Sequence, residues 1–124
     1  LKKYGNRDRD WLVNNVPGAI YKVELDNTHP LAFGYPGFYY SLKLNATIFE
    51  FGKDTWNVGV IKKEKQTAGF VGSRLREKLM DGTVIAVTPM GRGNIVYFTD
   101  DPIFRSFWEN GKLMLTNAVF LVGQ

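Results

Sequence analysis

The chain has 124 residues, 44% of them hydrophobic and 23% charged, which is the composition of one globular domain and not of a disordered segment. It holds no cysteine and one histidine, so disulfides, a thiol nucleophile, cysteine-ligated zinc and every motif needing two imidazoles are excluded. The formal net charge of +4 comes from short clusters (Lys2-Lys3, Lys62-Lys63-Glu64-Lys65, Arg74-Arg76-Lys78) with acids mixed in, a pattern that reads as solvated faces and not as a nucleic-acid footprint. No apolar run approaches the roughly 20 residues that span a bilayer.

Residues 1–17 are largely polar and charged, with Trp11, Leu12 and Val13 as their apolar group, and read as a leading loop or linker, or a short helix, that docks Trp11. The start at Leu1 reads as that of a piece of a longer chain, with any targeting segment upstream. From Gly18 to Leu25, Lys22 and Glu24 alternate with Tyr21, Val23 and Leu25, the period of a half-buried strand. Asp26-Asn27-Thr28-His29-Pro30 then combines N-capping residue types with a proline suited to a first helical position. This corner carries the only histidine. As a base or metal ligand His29 has Asp26 as its candidate partner, whereas the simpler reading has its ring hydrogen-bonding the corner it sits on.

Tyr35, Phe38, Tyr39 and Tyr40 form an aromatic stretch that, with Trp56, offers a possible binding surface, although aromatics beside glycine and proline more often fill a core edge or an interface. Phe38, Tyr40, Leu42 and Leu44 recur with period two and predict a strand. Residues 48–51 and 56–61 predict two more, joined by a turn at 52–55. Asn45-Ala46-Thr47 is a glycosylation sequon only in a secreted eukaryotic protein. Residues 62–66 read as a charged turn. Leu75 and Leu79 place a helix over 73–80, stopped near Gly82. Thr83–Thr88 and Ile95–Phe98 predict an antiparallel hairpin about Met90-Gly91-Arg92-Gly93. Residues 106–111 read as a linker, and 112–122 as a helix apolar nearly all round and packed on the sheet.

Catalytic constellations fail in turn. No serine lies in a GxSxG elbow, and Gly91-Arg92-Gly93 leads into a strand and not a helix, so it is no phosphate loop. Asp100 and Asp101 are better read as capping acids than as a glycosidase pair. A zinc site from His29, Asp26, Asp100 and Asp101 is the remaining metal option. The preferred reading makes Asp100, Asp101 and Arg105 a structural clasp, in which Arg105 reaches back to an acid or to carbonyls at the strand's end.

Taken together, Asp26-Asn27-Thr28-His29-Pro30-Leu31-Ala32-Phe33-Gly34, Gly91-Arg92-Gly93, Asp101-Pro102-Ile103-Phe104-Arg105 and the Leu113, Leu115, Asn117-Ala118 pattern resemble a known module. It is the C-terminal half of the class I glutamine-amidotransferase-like (ThuA-like) domain that follows the catalytic domain in some bacterial zinc carboxypeptidases. The resemblance covers most of residues 18–122. It implies a mixed flavodoxin-like α/β sheet with flanking helices, residues 18–124 being the C-terminal portion of a partial domain. Active relatives carry their catalytic histidine in the corner after the strand, where this chain has Thr99-Asp100-Asp101-Pro102. The resemblance therefore implies a non-catalytic accessory domain with no cofactor of its own, the zinc lying in the parent enzyme's catalytic domain. In that setting Asp100, Asp101, Arg105, His29 and Asp26 are a clasp or vestigial site. Its expected partners are an upstream catalytic domain, the missing half-domain or a second copy, with no nucleic acid or membrane, in a periplasmic or secreted protein. Two other functions stay open: a carbohydrate-binding module using Tyr35–Tyr40, and a hydrolase using His29 with an acid.

Overall fold

The computed structural model describes residues 1–63 and 66–123. Its elements are α1 (Arg7–Val13), β1 (Gly18–Leu25), β2 (Phe38–Lys43), β3 (Trp56–Ile61), β4 (Gln66–Phe70), α2 (Ser73–Arg76), β5 (Gly82–Met90), β6 (Gly93–Phe98) and α3 (Glu109–Phe120), with 3-10 turns at Tyr4–Asn6, Pro30–Ala32 and Phe104–Ser106. The class is mixed α/β, built on one six-stranded sheet of order β2-β1-β3-β5-β6 with β4 beside β1.

Every described strand pair is antiparallel. This departs from the expected flavodoxin-like arrangement, whose helical crossovers place neighbouring strands parallel. The physical reason is in the connections. β5 and β6 are joined by a two-residue turn, Gly91 at φ 61 supplying the left-handed position, with Met90 opposite Gly93. β4 continues the line of β3 along one side of β1: Leu25 faces Gly59, whereas Gly18 faces Phe70. The charged turn expected over 62–66 includes Glu64 and Lys65, which lie outside the described residues.

β1 is buried in strict alternation, with Ala19, Tyr21, Val23 and Leu25 inward. β2 also alternates, with its apolar period on the outward face. Tyr39, Ser41 and Lys43 are buried, while Phe38, Tyr40 and Leu42 are half-exposed and Leu44 is exposed. The 48–51 stretch forms only a bridge, Phe49 to Thr83. The inner faces of β1, β2, β5 and β6 join Leu31, Ala32 and Met114 in one core.

The helices differ from expectation in extent. α2 is a single turn, although Leu79 just beyond it is fully buried. α3 begins at Glu109, inside the expected linker, and buries only Gly111, Met114 and Asn117, so it is not apolar-packed all round. Its outer residues Leu113, Val119 and Phe120 are exposed. Residues 1–17 hold the short helix α1, but Trp11 is 56% exposed, so it does not dock. The anchor of this segment is Val16.

Candidate functional site: a buried clasp and an open corner

Asp100 follows β6 by two residues, and its carboxylate turns into the protein against the end of β2. Lys43 Nζ lies 3.1 Å from both Asp100 oxygens and donates to Thr47 O at 2.8 Å and Thr99 Oγ1 at 3.4 Å. Ser41 Oγ donates to Asp100 Oδ2 at 2.8 Å, and Thr99 Oγ1 donates to the same oxygen at 3.1 Å. The two charged side chains are 0% and 3% exposed, so this is a buried ion pair with its remaining hydrogen-bonding capacity satisfied. Burial pushes the Lys43 pKa down, and the Asp100 carboxylate opposes that shift. Among the described residues no buried side-chain nitrogen or oxygen lacks a partner, which leaves this cluster no free group for a substrate.

The ion pair ties the end of β6 to β2 and not to α3, and its cation is Lys43 and not Arg105. Arg105 is exposed, sits at φ 50 and lies over the Phe104 ring at 5.1 Å. Arg105 and Ser106 are consecutive left-handed residues that reverse the chain before α3. Asp101 Oδ1 accepts from Ile103 N at 2.9 Å and closes a local turn, but the 3-10 turn begins only at Phe104 and has no side-chain cap, so neither acid caps a helix.

α3 is tied to the Pro30–Ala32 turn and to the edge of β2. Asn117 Nδ2 donates to Leu31 O at 3.0 Å and Phe33 O at 2.8 Å, tying the helix to the His-Pro-Leu-Ala-Phe turn. Tyr35 Oη donates to Asn110 O at 2.7 Å and accepts from Met114 N at 2.9 Å, so it bridges the two groups that an ordinary helical turn pairs directly. Trp108 Nε1 and Asn110 Nδ2 both donate to Tyr40 O, covering the edge of β2. At Gly111 the helix meets the Asp-Pro corner so closely that an added Cβ would lie 1.8 Å from Pro102 O.

Asp26 and His29 occupy the other end of β1. Asp26 Oδ1 accepts from Thr28 N at 2.9 Å and Thr28 Oγ1 at 2.6 Å, and these bonds hold its pKa below the usual value. His29 Nδ1 accepts from Leu31 N at 3.1 Å, the corner hydrogen bond foreseen for it, and burial lowers its pKa against the pull of Asp26. Lys43 pairs with Ala19 at the start of β1, whereas Asp26 follows Leu25 at its end. At ~3.3 Å per residue the two acids stand roughly 20 Å apart, so the four residues of the supposed zinc site are not brought together. Among the described residues no group of three or more metal-ligating side chains is gathered.

The aromatic stretch is likewise divided and forms no single platform. Tyr39 is 2% exposed, and burial raises its pKa to about 12. Tyr35 is bound to α3. Phe38 and Tyr40 face outward, edge to face at 5.6 Å. Trp56 stands apart from them, beside His29 with ring centroids 6.5 Å apart.

Lys43 is the site residue that sequence reasoning missed. Its signal was the alternation itself: a strand whose other face is uniformly apolar carried Ser41 and Lys43 on the face shared with Tyr39. No family model, curated protein or solved structure matches the chain.

Proposed function

We propose that this chain is a non-catalytic accessory module of a zinc metallocarboxypeptidase, whose peptide hydrolysis takes place on a separate zinc-bearing domain. The observation that carries the reading is the closed state of the Asp100 corner. In the resemblance this corner is where active relatives place a catalytic histidine, and here its carboxylate is held by Lys43, Ser41 and Thr99. A group so occupied binds and positions structure, not substrate. What supports the kinship is the contact between two of its stretches, Asn117 of α3 donating to Leu31 O and Phe33 O. The flavodoxin-like pairing is no part of the support, given the antiparallel sheet.

The module offers area for docking on a catalytic domain. Phe33, Leu113, Val119 and Phe120 are 69%, 40%, 63% and 66% exposed beside the turn that α3 packs on. A periplasmic or secreted setting belongs to the same proposal, and among the described residues no helix is long and apolar enough to cross a membrane. The test is metal analysis and peptidase assay of the purified chain, together with its effect on the melting temperature of a zinc-carboxypeptidase catalytic domain. Absence of zinc and cleavage, with a stabilised catalytic domain, is the expected result. Stoichiometric zinc, or peptide hydrolysis by the chain alone, overturns it.

A further inference from the structure

We propose that the recess formed by Asp26, Thr28, His29, Pro30 and Trp56 binds a sugar ring, Trp56 stacking on the ring's apolar face while Asp26 and His29 hydrogen-bond its hydroxyls. The inference stands apart from the accessory reading and needs no catalytic partner.

The recess has a volume of about 380 Å³ and is lined by those five residues. That lies within the range of small-molecule sites, roughly 300–1,000 Å³. Trp56 is the first residue of β3 and is 58% exposed, so its indole is fixed by the sheet through its backbone and yet open to solvent. Each polar neighbour has one atom committed to the fold and another that is not. Asp26 spends Oδ1 on Thr28, which orients the carboxylate and leaves Oδ2 as an acceptor. His29 spends Nδ1 as an acceptor from Leu31 N, which puts the proton of the neutral ring on Nε2 as a donor. The ring also lies against Trp56, tilted by 50°.

The combination selects among ligand classes. An anion is disfavoured by the ionised Asp26. A divalent cation finds too few ligands, since no group of three metal-ligating side chains occurs among the described residues. An alkylammonium group would use Asp26 and the indole face but leave the imidazole N–H without an acceptor. A polyol with one apolar face has both donors and acceptors to offer and answers all of the groups. Because Asp26 and His29 are already held by Thr28 and Leu31, little ordering is required on binding.

The experiment titrates the intact protein with a panel of neutral monosaccharides and short oligosaccharides, read by saturation-transfer NMR and tryptophan fluorescence. Lysine and arginine amides serve as the comparison ligands. Saturable binding to at least one sugar is expected, weakened at least tenfold by Trp56→Ala and less by Trp56→Phe. Asp26→Asn is expected to weaken it several-fold, and Trp11→Ala to leave it unchanged. Thermal melts of each variant separate lost binding from lost folding. No saturable binding across the panel overturns the proposal, as does binding that survives in a folded Trp56→Ala variant. A response confined to the cationic amides overturns it in favour of a cation site.

Discussion

Two aspartates stand just beyond strand ends in this protein, and they do opposite things. Asp100 points inward, 3% exposed, and takes hydrogen bonds from a lysine and two hydroxyls drawn from β2 and its own loop. Asp26 is exposed, and its carboxylate accepts from Thr28, the residue two positions on. The first joins elements distant in sequence and its removal strands a charge. The second organises a local corner and leaves an oxygen facing solvent. The same side chain after the same kind of strand is thus structural or available for binding according to whether a cation has been buried opposite it.

The largest expected effect is on the inward acid. Asp100→Ala leaves Lys43 buried without a counter-charge and is expected to cost about 3–5 kcal/mol in chemical denaturation. The double change Lys43→Met, Asp100→Leu is expected to recover most of that loss, because the penalty is the unpaired charge and not the missing attraction. If Asp100→Ala unfolds at the wild-type midpoint, the contrast between the two corners collapses.

Next comes Gly111→Ala, where the added methyl meets Pro102 O and must push α3 off the corner. A loss of about 1–3 kcal/mol or more is expected from such overpacking, with chemical-shift changes centred on Pro102. Asn117→Ala removes both donors to the Pro30–Ala32 turn and is expected to cost about 1–3 kcal/mol, as for buried acceptors left unmet.

The alkaline limb of the stability curve probes the buried side of β2. Tyr39 has its pKa raised to about 12 in the folded protein, so the unfolded chain loses this proton first. Its contribution is complete below pH ~10 and is lost as pH rises through about 12, a span worth on the order of 2–3 kcal/mol. A Tyr39→Phe variant whose denaturation midpoint falls as steeply above pH 10 as that of the wild type would show the ionisation to lie elsewhere. The smallest effects belong to the open corner. Asp26→Ala and Arg105→Ala are each expected to stay within about 1 kcal/mol of wild type. An Arg105→Ala loss comparable to that of Asp100→Ala would restore the arginine to the clasp.

What was legible in the sequence was local. The alternation of β1, the glycine turn between β5 and β6 and the imidazole-capped turn at Pro30 are each decided by neighbours a few residues away. What was not legible depended on partners. The buried run of β5 reads the same in a parallel or an antiparallel sheet. In β2 the apolar period of Phe38, Tyr40 and Leu42 marks the strand but not its inward face, which is the one with Lys43, because Asp100 waits there from 57 residues away. Arg105 is the cation near in sequence, whereas the fold uses Lys43, which is near in space.

The Tyr35 hydroxyl set between Asn110 O and Met114 N makes part of α3 conditional on a loop nearly eighty residues earlier. The amide of Met114 therefore exchanges with solvent only when the Tyr35 loop lifts, and its hydrogen-exchange rate serves as a gauge of that opening, distinct from fraying at the far end of the helix.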